Sequence, residues 1–271
     1  MKLYKYYSVK GGIATLRFGR LRLSPPNTFN DPFEFGMNVD YSAVSKDGLK
    51  EYLRTSTEMF NAWREIHAPG QDSFSIRRYY DDHLDEIVDE RFAAFPGNVL
   101  AEQEKSCDRA SKFWAVTCFC ENHDSILMWS HYAEQHEGML IEFDSNHLPF
   151  HNDPESLVKV RYSKDKPVYI YKFGMEGFEE QFQIFSIQKH IGWQYEQEWR
   201  MIIPQKSLVQ GKCAPLFVGA VKAVTFGCRC KPETQQSVLG ILKNPILGHI
   251  KKFRAKPNQT EYKLDIVEMP D

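Results

Sequence analysis

The chain has 271 residues, enough for one large domain or two small ones with a sizeable core. Its 34 Lys and Arg nearly balance 36 Asp and Glu, a formal net charge of −2, so no global basic field draws it to nucleic acid and any such site must be local. A composition 42% hydrophobic and 26% charged excludes wholesale disorder, and the 14% aromatic content is a surplus that the elements must explain.

In chain order, Leu3–Tyr7 suits a short strand, Gly11-Gly12 a turn, and Ile13–Phe18 a short helix ended by Gly19. Arg20–Ser24 is a strand with Leu21 and Leu23 on one face, followed by a rigid Pro-, Asn- and Asp-rich loop to Glu34. Residues 45–111 change to helical periodicity, with Leu49/Leu53 and Phe60/Trp63 paired. There Ile76, Tyr79, Tyr80, Leu84, Ile87, Val88 and Phe92 form one apolar stripe that Pro96-Gly97 stops, and Asn98 caps a helix to Ser111. Strands dominate from Phe113: Phe113–Cys120, Gly138–Phe143, Leu157–Tyr162, Val168–Tyr171, Glu198–Ile203, Val221–Phe226 and Glu261–Val267. Helices are expected at Ser125–Glu134, capped by Asp124, and at 177–190 and Pro232–Leu242. Without regular strand–helix alternation the class is α+β: one domain over 1–271, with a helical insertion at about 45–111 in a mixed, mainly antiparallel sheet.

Met1–Tyr6 lacks the apolar segment and cleavage site of a secretory signal, and no stretch approaches the ~20 apolar residues of a membrane helix. Six cysteines in such a chain suggest a cytoplasmic protein with reduced thiols and no membrane partner. Cys118-x-Cys120 and Cys228-x-Cys230 would together suit tetrahedral zinc, but one intervening residue is short for a zinc knuckle. On a strand, residues two apart merely share a face, so buried free thiols are the expectation and no metal site is assigned.

Three clusters carry candidate chemistry. Asn30, Asp31 and Glu34 are polar groups for a pocket mouth, although Asn-Asp-Pro is good turn chemistry by itself. In Asp124–Gly138, Trp129 and Tyr132 share a helix face, His131 points elsewhere, and His131 and His136 are five apart, the wrong spacing for a metal pair. In Trp193–Arg200, Glu196 and Glu198 on a strand would share a face with Arg200 as cationic partner, with Tyr195 and Trp199 opposite. That pattern fits a pocket-lining strand and equally a solvent-facing ladder. No nucleophile elbow, phosphate-binding Gly-Lys loop, HExxH or Rossmann fingerprint occurs.

Several stretches resemble the bacterial family called domain of unknown function 2971, or DUF2971. They are Leu3–Tyr6, Leu23–Glu34, Met128–Ala133 with His136 and Gly138, Tyr195–Arg200, and Val224–Gly227. More distantly, the Leu-Tyr-x-Tyr strand, short helix, Gly turn, strand ending at Ser24 and distant Glu-x-Glu strand resemble the ADP-ribosyltransferase superfamily. That resemblance implies a split β-sheet with NAD as substrate in its cleft and glycosyl transfer to nucleic acid or protein. It is the activity of a toxin or phage-defence effector with a possible antitoxin or partner protein. It makes Glu198 the catalytic carboxylate that stabilises an oxocarbenium-like transition state, and Glu196 its upstream partner. Tyr4, Lys5, Tyr6, Ser24 and Arg200 would bind NAD, with Lys5 standing where one class of the superfamily has His, and Asn30, Asp31, Trp129 and Tyr132, which belong to the narrower DUF2971 resemblance only, complete the expected NAD-binding set. A non-enzymatic binding or sensor module on the same scaffold is the alternative.

Overall fold

The structure is a computed structural model that describes residues 1–104, 106–153, 155–173, 185–208 and 212–270. The chain runs through β1 (Lys2–Tyr7), α1 (Val9–Phe18), β2 (Arg20–Arg22) and β3 (Asn38–Asp40). Five helices follow: α2 (Lys46–Thr55), α3 (Thr57–His67), α4 (Ser73–Asp82), α5 (Leu84–Glu104) and α6 (Ser106–Phe113). Then come β4 (Trp114–Cys120), α7 (Ile126–Tyr132), β5 (Met139–Asp144), β6 (Leu157–Lys159), β7 (Arg161–Ser163) and β8 (Val168–Ile170). The last elements are β9 (Gln188–His190), β10 (Glu198–Pro204), β11 (Cys213–Pro215), β12 (Val221–Phe226), α8 (Pro232–Leu242), β13 (Lys251–Pro257) and β14 (Leu264–Glu268).

The class is α+β, and two compact units are formed. The first comprises Met1–Glu34, Asp108–Lys164 and Ile187–Asp271, and the second Phe35–Cys107 and Asp165–Ser186. The first is built on an eight-stranded sheet in the order β14-β13-β12-β5-β1-β4-β10-β6, antiparallel at every pairing except β12 with β13. Strand alternation sorts its side chains. Leu3 and Tyr7 join Phe119, Ile141, Phe143, Met201, Ile203 and Phe226 in one core, on which α1 and α8 pack through Leu16, Val238 and Leu242. Tyr6 joins Cys120, Leu140, Met128 and Trp129 in another.

The pairing is uneven. β1 and β5 are matched from Lys2↔Asp144 to Tyr7↔Met139, and β4 and β10 from Trp114↔Pro204 to Cys120↔Glu198. Between β1 and β4 only Tyr4↔Cys120 pairs, so the sheet opens there. The Lys5 ammonium crosses the opening and donates to the Cys118 carbonyl at 2.9 Å, satisfying a backbone acceptor that strand pairing leaves over.

The second unit packs α2 to α5 around Leu49, Leu53, Phe60, Trp63, Tyr80, Leu84, Ile87 and Val88, and pairs β3 with β8 in parallel. Ser45, Ser56 and Asp72 cap α2, α3 and α4 through their side-chain oxygens.

Several local expectations are corrected. Gly11-Gly12 lies inside α1, which Ser8 starts by accepting from the Gly11 N–H. The glycine at 12 serves packing: a Cβ there would sit 2.3 Å from the Met139 sulfur. The stripe expected from Ile76 to Phe92 breaks at His83, and α5 continues through Pro96-Gly97. Ser125, not Asp124, caps α7, which ends at Tyr132. Of the helix expected over 177–190, residues 177–184 lie outside the described residues, and Gln188–His190 is a strand. The expectations missed β13 altogether, because its Lys- and Arg-rich sequence hides a strand that pairs along both edges.

Candidate functional site

Two turns and two strands bring five charged side chains of the first unit together. In the loop after β2, Asp31 Oδ1 accepts the Phe33 N–H at 2.9 Å and the Asp31 carbonyl accepts the Glu34 N–H at 3.1 Å, a turn that leaves Glu34 buried. β9 supplies Lys189, and β10 supplies Glu198 and Arg200 on one face. Glu196 arrives by another route than the expected strand parity. It ends a 3₁₀ helix, Ile191–Glu196, and Gln197 turns the chain through a left-handed conformation (φ 45°) into β10. Glu196 is therefore not a strand residue, and the two carboxylates nonetheless share a cation.

That cation is Lys189. Its Nζ lies 2.6 Å from Glu196 Oε2, 3.0 Å from Glu198 Oε2 and 3.0 Å from Glu34 Oε1. Arg200, fully buried, donates from Nε to Glu198 Oε1 at 2.8 Å and from a terminal nitrogen to Glu34 Oε2 at 2.7 Å. Tyr132 donates to Glu196 Oε1 at 2.6 Å and receives the Asn30 amide at 3.3 Å. The backbone N–H of Glu198 donates to the Tyr162 hydroxyl at 2.8 Å.

Three carboxylates thus face two cations, and the shortfall falls on one of them. Burial opposes ionisation of Glu198, but Arg200 and Lys189 overcome it and hold its pKa well below the usual carboxylate range. Burial dominates at Glu196, with Glu198 adding repulsion, and its pKa rises despite Lys189 and Tyr132. Burial opposes charge on Lys189 too, yet Glu198, Glu34 and Glu196 together raise its pKa. Burial pushes the Cys118 thiol up, reinforced by Glu198, and pushes Cys120 up to about 12. Burial lowers the pKa of Lys5.

A cavity of about 390 Å³ opens over this cluster. Of the candidate residues, Tyr4, Lys5, Tyr6, Asn30, Tyr132, Glu196 and Glu198 line it. Four others do not. Ser24 forms a β-bridge with Val116, and Asp31 builds the turn before Glu34. Trp129 is core, its indole N–H donating to the His123 carbonyl at 3.2 Å, and Arg200 lies beneath the carboxylates. The lining adds Lys189, Phe29, His131, Cys118 and Cys120 to the expected site residues. His131 lines the cavity rather than pointing elsewhere, its Nδ1 3.1 Å from the Tyr195 hydroxyl. The signal for Lys189 was weak: a single Lys between polar neighbours, in a stretch with helical spacing. For the thiols it was the shared strand parity of Cys118 and Cys120 with Glu198 across the β4–β10 pairing. Among the described residues, no group of three or more His, Cys, Asp or Glu could hold a metal ion, and no helix is long and apolar enough to cross a membrane.

Residues 128–201 match DUF2971, a family described as Protein of unknown function. The DUF2971 stretch contains Tyr132, Lys189, Glu196, Glu198 and Arg200, so four of the five charged groups and the tyrosine on Glu196 belong to it. The β1 tyrosines, Asn30 and Glu34 lie outside it. No curated protein and no solved structure matches the chain.

Proposed function

We propose that this pocket carries out glycosyl transfer from NAD, the reaction of ADP-ribosyltransferases, to an acceptor on nucleic acid or protein. The observation that supports it is the pair Glu196 and Glu198, adjacent carboxylates with pKa values pushed apart, in the wall of an aromatic-lined cavity where β1 and β4 separate. Carboxylates set apart in this way divide the labour of acid–base and electrostatic catalysis.

Glu198, held ionised, offers negative charge to the ribosyl carbon as the bond to nicotinamide breaks, which stabilises the transition state more than the ground state. The bonding pair leaves with nicotinamide, and the acceptor's lone pair forms the new bond to that carbon. The acceptor's proton passes to Glu196, whose raised pKa makes it a better base near neutral pH. Tyr4, Tyr6, Phe29 and Tyr132 offer rings for the nicotinamide. The opening between β1 and β4 supports a split-sheet, ADP-ribosyltransferase-like arrangement. In a cell such an enzyme would be a toxin or phage-defence effector, restrained by an antitoxin or partner protein.

One observation favours a second reading, a non-enzymatic binding or sensor module. Each oxygen of Glu196 and Glu198 already accepts a bond from Lys189, Arg200 or Tyr132. Incubation with labelled NAD separates the two. The enzyme reading predicts consumption by the wild type and its loss in Glu198→Gln. Absence of both turnover and calorimetric NAD binding overturns it, and a stable protein partner in pull-down would then favour the second.

A further inference from the structure

Lys189 has a distinct place among the five charged groups. Glu34 and Glu198 each have two cations, Arg200 and Lys189. Glu196 has Lys189 as its one ion-pair partner among the described residues, with the Tyr132 hydroxyl on its other oxygen. The lysine is 8% exposed, so a water shell cannot replace it. Its backbone is held by β9, which pairs in parallel with β7 at Tyr162↔Lys189, and Tyr162 in turn accepts the Glu198 N–H. One ammonium therefore ties the 3₁₀ helix that carries Glu196 to the strand that carries Glu198.

We infer that Lys189 is the positioning residue of this pocket: its ammonium fixes Glu196 beside Glu198 and keeps Glu196 free to accept a proton. Without it, Arg200 is the remaining cation on Glu34 and Glu198, which it already bonds, and Glu196 loses the ammonium on its Oε2. The orphaned charge is then Glu196, and an uncompensated buried carboxylate neutralises rather than stays ionised. The direct consequence is local and needs no substrate. The kinetic consequence rests on the proposed glycosyl transfer, with Glu196 as base: once protonated, it could not accept the acceptor's proton.

The test is carboxyl ¹³C NMR titration of the full chain, comparing wild type, Lys189→Met and Lys189→Arg, with Glu196→Gln to assign the resonance. Lys189→Met should raise the Glu196 pKa by about one unit or more, while Glu198, still on Arg200, stays ionised down to the acid limit. Lys189→Arg should restore most of the Glu196 titration. An unchanged Glu196 titration in Lys189→Met, or equal upward shifts of Glu196 and Glu198, overturns the inference. If Lys189→Met does not fold, ¹⁵N spectra of the wild-type ammonium decide: slow proton exchange with couplings to the carboxyl carbons of Glu196 and Glu198 supports it, and solvent-averaged exchange refutes it. In NAD turnover, Lys189→Met should lower kcat more than it changes KM. A wild type without turnover would sink the enzyme reading and leave the titration result standing.

Discussion

Replacing Arg200 with methionine removes the cation that lies deepest under the pocket. Arg200 is fully buried and bonds two carboxylates, Glu198 through Nε at 2.8 Å and Glu34 at 2.7 Å. Methionine fills much of the volume but leaves Glu34, Glu196 and Glu198 on Lys189 alone. Breaking a buried ion pair from one side costs about 3–5 kcal/mol, because the remaining charge is stranded. The cost depends on pH in a defined direction. In the wild type Glu198 has a depressed pKa, so the folded state binds fewer protons than the unfolded one, and stability present above the unfolded value near 4.5 is lost as pH falls toward the folded pKa. In the variant a carboxylate has a raised pKa, the folded state binds the extra proton, and stability falls as pH rises. The two stability curves therefore converge on acidification, by up to about 1.4 kcal/mol per pH unit for each proton involved. Urea unfolding followed by circular dichroism from pH 8 to pH 5 measures this. A deficit below about 1 kcal/mol at pH 7, or one that stays constant across that range, would refute the view that the five groups act as one electrostatic unit.

Two further changes probe the same site. Tyr132→Phe removes the 2.6 Å bond to Glu196 and should cost about 1–3 kcal/mol in urea unfolding while raising the Glu196 pKa further, since that bond lowers it. Gly138→Ala would place a Cβ 2.1 Å from the Tyr7 carbonyl oxygen, where α7 returns to β5 beside β1. The backbones must part, so thermal unfolding should show a loss of about 1–3 kcal/mol or more, and a neutral result would contradict the close approach.

The sequence carried the strand parity of Glu198 and Arg200, the shared face of Leu21 and Leu23, both of which are buried, and the helical character of 45–111, because each depends on near neighbours along the chain. It could not carry the partnership of Glu34 with Arg200, 166 positions apart, which needs the whole sheet to form. Glu196 joined Glu198 for a reason that strand alternation does not contain, a left-handed Gln197. Lys189 was hidden because its neighbours have helical spacing while its backbone pairs with β7. Asp31 and Trp129 show the opposite error: residues with suggestive chemistry whose contacts are those of a turn and a core. The aromatic surplus divides likewise, between packing such as Phe60 on Tyr80 and the cavity wall of Tyr4, Tyr6, Phe29 and Tyr132.

The most direct measurement of the proposed function is the rate of nicotinamide release from NAD by purified wild type and by Glu198→Gln, with folding of both verified by circular dichroism. The account predicts measurable release by the wild type and a loss of about 10²–10³-fold in the variant, the scale on which removing one preorganised charge-stabilising group acts. Equal rates in the two proteins, or no release by a wild type that is folded, would contradict it.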